Sequence, residues 1–172
     1  MGARRKLSFR RLPPMATLPE LDRLDRRILD ILQREGRISM TELGERIGLS
    51  TSPVAERVRR LERTGVITGW HARVDPRAVN RGMLVFVEIT LSAKSGEIFD
   101  QVRRALLHMD EVLECHLVSG SFDYLVKARL SGMEDYRGLL GDILRQIPVP
   151  CQSHSYVVME EVKETTALVV PT

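Results

Sequence analysis

Between residues 22 and 67 the apolar positions recur every three or four residues, the period of helices packed on one face. Leu24, Ile28, Ile31 and Leu32 predict a helix over about residues 22–35, closed by Gly36. Ser39 and Glu42 have capping-box spacing and start a second helix, with Leu43 and Ile47 on its inner side. Gly48 follows, where a left-handed residue would stop that helix. Ser50 or Ser52 can cap a third helix, with Pro53 tolerated in its first turn. Val54, Val58 and Leu61 repeat at i, i+4 and i+7 and must face a core, and Gly65 ends the helix. Its opposite side carries Ser52, Glu56, Arg59, Arg60 and Arg63. The second and third helices have the layout of a helix-turn-helix, whose second member enters the DNA major groove. Residues 66–74 form a short β-like stretch, a candidate wing beside that helix.

From Met83 the period changes. Residues 83–91 alternate as a strand, with Val85, Val87, Ile89 and Leu91 on one face and Leu84 and Phe86 on the other. Residues 97–109 predict a helix with Ile98, Val102, Ala105, Leu106 and Met109 inward. Residues 114–119 and 122–130 read as a hairpin around Gly120-Ser121. A second helix, residues 133–147, turns Tyr136, Leu139, Leu140, Ile143 and Leu144 inward and is stopped by Pro148 and Pro150. Residues 154–162 make a last strand. The order βαββαβ is the ferredoxin-like unit, so the fold class is α+β. Helices cover one face of such a sheet. The other face is expected to be apolar, with Val85, Val87 and Phe86 as candidates to bury against a second copy. The expected organisation is an extension over residues 1–18, a helix-turn-helix domain over 19–74, a Pro- and Gly-containing hinge over 75–82, and the ferredoxin-like domain over 83–172.

An arginine face on an amphipathic helix is most often only a solvated face. Charge placement changes that balance. Net charge is only +3, but residues 1–75 hold 16 Lys+Arg against 10 Asp+Glu, while residues 76–172 hold 10 against 13. The front half is basic, almost wholly through arginine, and alone suits a polyanion. No apolar run approaches the roughly 20 residues needed to span a bilayer. Residues 1–14 are basic without the apolar core of a signal peptide. They read as a DNA-touching arm, a cloning remnant or a stretch upstream of a start at Met15, with the two inert readings preferred. Cys115 and Cys151 are far apart and read as free buried thiols of a reducing cytoplasm. The histidines make no metal-type pattern, and no P-loop, GxGxxG or GxSxG occurs. No cofactor, metal or membrane is expected, and an enzyme reading has no catalytic set behind it.

Several strings together resemble one family. They are Leu24-Asp-Arg-Arg-Ile-Leu-Asp30, Gly36-Arg-Ile-Ser39, Gly48-Leu-Ser50, Glu56-Arg-Val-Arg-Arg-Leu-Glu-Arg63, Leu84-Val-Phe-Val-Glu-Ile-Thr-Leu91, Glu114-Cys-His-Leu-Val-Ser-Gly120, Phe122-Asp-Tyr124 and Tyr156-Val-Val-Met-Glu-Glu-Val162. From about Pro19 to the C-terminus the chain resembles the Lrp/AsnC family of amino-acid-responsive transcription regulators, most of all its branched-chain members. The resemblance implies a cytoplasmic, nucleoid-associated homodimer joined through the βαββαβ (RAM) domain, assembling to octamers with double-stranded DNA wrapped around the rim. DNA contacts would come from Ser50, Thr51, Ser52, Ala55, Glu56, Arg59, Arg60 and Arg63, with Arg57 nearer the core edge and paired to a neighbouring Glu.

The resemblance also implies an effector, leucine or another apolar amino acid, bound between dimers. Its site would use Leu117, Val118, Ser119, Gly120, Phe122, Asp123 and Tyr124, with Met133, Tyr156, Val157 and Val158. Asp123 can accept the effector's ammonium group, the Gly120 turn can offer N–H groups to its carboxylate, and Leu117, Met133 and Val158 can line an apolar pocket. Ser121 stands where relatives of this kind carry Asp, which removes a negative charge beside the site. Other readings remain open at this level: Gly120-Ser121 serves as a plain hairpin turn, and Asp123 as its cap. The alternative functions are a regulator of the same family that acts by assembly alone, and an enzyme or storage protein using the βαββαβ unit as a sensor.

Overall fold

The computed structural model describes residues 19–171, so the extension expected over residues 1–18 lies outside the described residues. Contacts divide the chain into two compact units. One holds the helical segment through Ala72 together with Val162 onward; the other holds Arg73–Glu161.

The helical unit contains α1 (Arg23–Arg34), α2 (Met40–Ile47) and α3 (Thr51–Arg63). Asp22 caps α1 in a full capping box: its carboxylate accepts the Asp25 N–H at 2.8 Å, and Asp25 accepts the Asp22 N–H at 3.3 Å. Ser39 caps α2 by accepting the Glu42 N–H at 3.1 Å. The returning half of that predicted box is not made; Glu42 pairs with Arg46 at 2.6 Å instead. Gly48 adopts the expected left-handed conformation, φ 76° and ψ 35°, and ends α2. Ile28, Leu32, Leu43, Ile47, Val54, Val58 and Leu61 form one buried cluster.

Two expectations for this unit change. Residues 66–74 carry β-like residues but form no ladder, because a strand needs a neighbour to bond and the described residues beside them supply none. Val66 and Ile67 instead pack on the helical core, and the Trp70 indole donates to Glu62 at 2.7 Å. The C-terminal residues from Val162, expected in the second domain, belong to the helical unit. The Gln33 side-chain amide exchanges two bonds with Leu168, accepting its N–H at 2.7 Å and donating to its carbonyl at 3.1 Å. Arg26 donates to the Pro171 carbonyl at 2.9 Å.

The second unit opens with a 3-10 turn, Pro76–Val79, inside the expected hinge. Asp75 accepts the Arg77 N–H at 2.9 Å there and also pairs with the Arg77 guanidinium. The elements β1 (Met83–Leu91), α4 (Gly96–Leu107), β2 (Val112–Leu117), β3 (Tyr124–Leu130), α5 (Met133–Gln146) and β4 (Cys151–Val157) follow. All neighbours pair antiparallel in the order β2-β3-β1-β4, the ferredoxin-like sheet. Val85, Val87, Ile89 and Leu91 of β1 meet Val102 and Leu106 of α4 and Leu139 and Ile143 of α5 in the core. Leu144, predicted inward, is 40 % exposed.

The uncovered face departs from the apolar surface expected. Val85 and Val87 are fully buried in their own core and are not available to a second chain. Phe86 and Leu125 lie half-buried on the open side, where Leu84 too points but is buried, and ion pairs and hydrogen bonds surround them. Lys127 pairs with Glu114 at 3.0 Å, Arg129 grips Glu161 with both nitrogens at 3.1 and 2.5 Å, and the Tyr156 hydroxyl donates to Glu88 at 3.2 Å. Cys115 is exposed and Cys151 half-buried, neither fully enclosed as expected, and both are free thiols.

Candidate DNA-reading helix and effector site

The turn between α2 and α3 fixes where the third helix points. Gly44 sits inside α2, its carbonyl accepting the Leu49 N–H at 2.9 Å. A Cβ at Gly44 would lie 2.5 Å from the Leu49 carbonyl oxygen, so only glycine lets the turn fold back this closely. Ser50 then starts α3 as its N-cap without a side-chain cap bond, and Thr51 Oγ1 lies 3.3 Å from Thr41 Oγ1.

On α3, Thr51, Ser52, Glu56, Arg59 and Arg63 are exposed, and Ala55 is half-buried. Ser52, Glu56, Arg59 and Arg63 recur at i, i+4, i+7 and i+11, a single stripe facing away from the core. Arg59 and Glu56 touch at 3.3 Å, but both side chains are about two-thirds exposed, a pair that water readily opens.

Arg60, expected on the same stripe, is turned elsewhere. Its guanidinium bonds Asp25 of α1 at 2.5 Å. Arg57 bonds Asp22 at 2.6 Å and Asp25 at 2.8 Å. Arg57 thus has the structural role expected, but its partners are two aspartates of the α1 start rather than a neighbouring glutamate, and Arg60 shares the pairing. Asp25 is only 1 % exposed, a buried anion held by two arginines. The Asp25 N–H bond is the largest influence holding the Asp22 carboxyl below its ordinary value, ahead of Arg57. Sequence reading missed Asp25. Its only signal is an acid in the first turn of a helix whose other buried positions are apolar.

The effector residues fall into two groups. Leu117, Val118, Ser119, Gly120, Phe122, Asp123 and Tyr124 surround the β2–β3 turn, which lies at the Leu91 end of β1. Tyr156 and Val157 pair with Phe86 and Val85, and the Val158 N–H bonds the Leu84 carbonyl at 2.9 Å, all near the Met83 end. Met133 follows β3, whose Leu130 pairs with Met83, so it joins the second group. Five or six residues of strand separate the ends, about 20 Å, well beyond the span of one amino acid. Within one protomer the two groups do not meet.

Among the first group, Asp123 and Tyr124 are buried, while Leu117 is 51 % exposed. The Tyr124 hydroxyl donates to the Phe99 carbonyl at 3.3 Å, and burial pushes its pKa up to about 12. Asp123 is committed at both oxygens: Oδ2 accepts the Leu91 N–H at 2.8 Å, and Oδ1 lies 2.7 Å from the Lys94 ammonium. Burial raises its pKa, but Lys94 and the Leu91 N–H outweigh that and hold the carboxyl below its ordinary value. In the second group Met133 and Tyr156 are each just over half exposed, and Val157 is 45 % exposed. Glu88, which accepts from Tyr156, raises the Tyr156 pKa.

A helix-turn-helix with an exposed arginine stripe, joined to a ferredoxin-like sheet domain, defines a DNA-binding transcription regulator. Family models agree: residues 21–68 match the winged helix-turn-helix DNA-binding model, and residues 84–168 match the Lrp/AsnC ligand binding domain. The chain is 50 % identical over 153 residues, 89 % of its length and 93 % of theirs, to the leucine-responsive regulatory proteins of Escherichia coli and Salmonella typhimurium. The chain belongs to the Lrp/AsnC family. Among solved structures it resembles a Neisseria meningitidis transcriptional regulator in complex with L-methionine (TM-score 0.81, 31 % identity, covering 87 % of this chain and 97 % of that one). It also resembles the feast or famine regulatory protein of Mycobacterium tuberculosis complexed with L-methionine (TM-score 0.79, 31 % identity, covering 88 % and 100 %).

Proposed function

We propose that this protein is an amino-acid-responsive regulator that reads double-stranded DNA with α3 and acts as a homo-oligomer, without catalysis. The observation that carries the DNA reading is the stripe Ser52, Glu56, Arg59 and Arg63 on a helix aimed by a glycine-dependent turn. Ser50, Thr51 and Ser52 at the helix start approach phosphate, and Ala55, Glu56, Arg59 and Arg63 lie in or beside the groove. Arg60 acts from its pairing with Asp25, orienting the helix more than reading bases. Among the described residues no helix is long and apolar enough to cross a membrane, and the proposed place of action is the cytoplasm, on the nucleoid.

The effector is an apolar amino acid, leucine first. Relatives of 50 % identity are named leucine-responsive, and two structural neighbours hold methionine. The split of the site residues between two ends of the sheet supports a pocket completed by different copies: one gives the Asp123 turn, another gives Met133 and Tyr156–Val158. Dimers formed over the open sheet face around Phe86, assembling further to octamers, would supply both.

Replacing Arg59 and Arg63 together by alanine should weaken operator binding by about 1–3 kcal/mol and lower the salt dependence by about one counterion for each phosphate left without its arginine. Unchanged affinity and slope would rule out this stripe as the reader. Thermal shift across the twenty amino acids tests the effector, since a ligand of the folded state raises stability. A flat screen would favour the regulator that responds to assembly alone.

A further inference from the structure

We propose that Lys94 is a built-in competitor for the effector's ammonium group. This rests on the reading of Asp123 as the ammonium acceptor. Asp123 has one oxygen fixed by the Leu91 N–H, so Oδ1 is the oxygen left for a cation. That position is filled by the chain's own ammonium, Lys94 Nζ, at 2.7 Å. The carboxylate side chain is 7 % exposed and the lysine side chain 54 %, so the acid lies inside and its cation sits on the solvent side, where a ligand would arrive. Lys94 belongs to the short segment between β1 and α4, and among the described residues no other bond or ion pair of its side chain holds it there.

An α-amino acid presents the same group, a primary ammonium with three N–H donors. With the Asp123 side chain only 7 % exposed, Lys94 fills the solvent-side approach to Oδ1, so the two ammonium groups compete for it. Binding is therefore an exchange of one ammonium for another at a single carboxylate oxygen. The freed lysine returns to water at little cost, because it is already half exposed. The exchange weakens effector affinity by the strength of the internal pair, so the regulator responds only when the amino acid is abundant. In this exchange Lys94 sets the threshold of response.

The test is isothermal calorimetry of the full-length oligomer with L-leucine and L-methionine, at one protein concentration, for wild type, Lys94→Met and Lys94→Arg. Methionine keeps the length and apolar stem of the lysine without its charge; arginine keeps the cation. Lys94→Met should bind roughly two- to fivefold more tightly, and Lys94→Arg within about twofold of wild type. The gain should be absent for 4-methylpentanoate, which is leucine without its amino group. Equal or weaker binding by Lys94→Met would overturn the proposal, weaker binding showing that Lys94 holds the ligand's carboxylate or merely pins its loop. An equal gain for leucine and 4-methylpentanoate would also overturn it. If neither wild type nor Lys94→Met binds any amino acid, the effector reading itself fails and the competitor falls with it. Equal binding by wild type and Lys94→Met fails Lys94 alone.

Discussion

Asp25 is the residue on which the orientation of the reading helix should depend most. It is 1 % exposed and bonds Arg57 at 2.8 Å and Arg60 at 2.5 Å, tying α3 to the first turn of α1. Removing one partner of a fully buried ion pair costs about 3–5 kcal/mol. Here the arginines are 26 % and 42 % exposed, so water takes up part of their lost pairing. Asp25→Ala should therefore destabilise the helical unit by about 2–3 kcal/mol. Asp25→Asn, which keeps shape and one acceptor, should cost about 1–2 kcal/mol. For a unit of this size, 2–3 kcal/mol lowers the midpoint by on the order of 10–20 °C. Far-ultraviolet circular dichroism during urea or thermal unfolding reads the effect, and a double-mutant cycle with Arg57→Ala should give a coupling of about 1–2 kcal/mol. A loss below about 0.5 kcal/mol for Asp25→Ala would refute the reasoning, because the acid would then be bystander to the packing of α1 on α3.

Other outcomes follow from the same geometry. Gly44→Ala should destabilise the helical unit by about 2 kcal/mol or more and weaken DNA binding, because its Cβ meets the Leu49 carbonyl at 2.5 Å and backbone must move; a melting midpoint equal to wild type would show that the turn has slack. Asp22 and Asp123 have carboxyls held below their ordinary values, so their stabilisation is complete above the unfolded value near pH 4 and is lost as pH falls through the folded ones. Thermal midpoints between pH 7 and pH 3 should fall less steeply for Asp123→Asn than for wild type; parallel curves would exclude Asp123 from the acid response. Phe86→Glu on the open sheet face should shift sedimentation toward monomer at micromolar concentration, and an unchanged profile would move the dimer contact elsewhere.

Much of the fold is legible in the residues because local signals agree. The strand β1 has the bounds its alternation gives, Met83–Leu91, and Gly48 takes the left-handed conformation its position after Ile47 requires. The last strand is less legible. The run Tyr156–Val158 draws the eye toward residues 154–162, yet β4 is Cys151–Val157. Pro148 and Pro150 stop α5, Cys151 pairs at once with Leu91, and beyond Val158 the neighbour β1 has ended, so β-prone residues there have no ladder to join. Arg60 shows a second limit: helical spacing places it on an outer face, but its long side chain bends back to a buried aspartate that no periodicity marks. The two-ended effector set was implicit in the antiparallel order, since a hairpin turn and the end of an outer strand lie at opposite edges of such a sheet.

The docking of Leu168 and Pro171 on α1 makes the sheet domain, in topological terms, an insertion between Ala72 and Val162 of the helical unit. An unfolded insertion of this length is a long loop, and closing it opposes the docking of the tail. The folded sheet shortens that loop, because the Val158 N–H bonds the Leu84 carbonyl at 2.9 Å and holds entry and exit side by side. Reducing the effective loop from 89 residues (Arg73–Glu161) to on the order of 15 favours closure by about 1.5 kcal/mol. Folding of the sheet thus concentrates the tail at α1, and melting it dilutes the tail away. A fragment cut near residue 75 lacks this eleven-residue tail, leaving Gln33 without its Leu168 partner, so its measured stability understates that of the same helices in the whole chain.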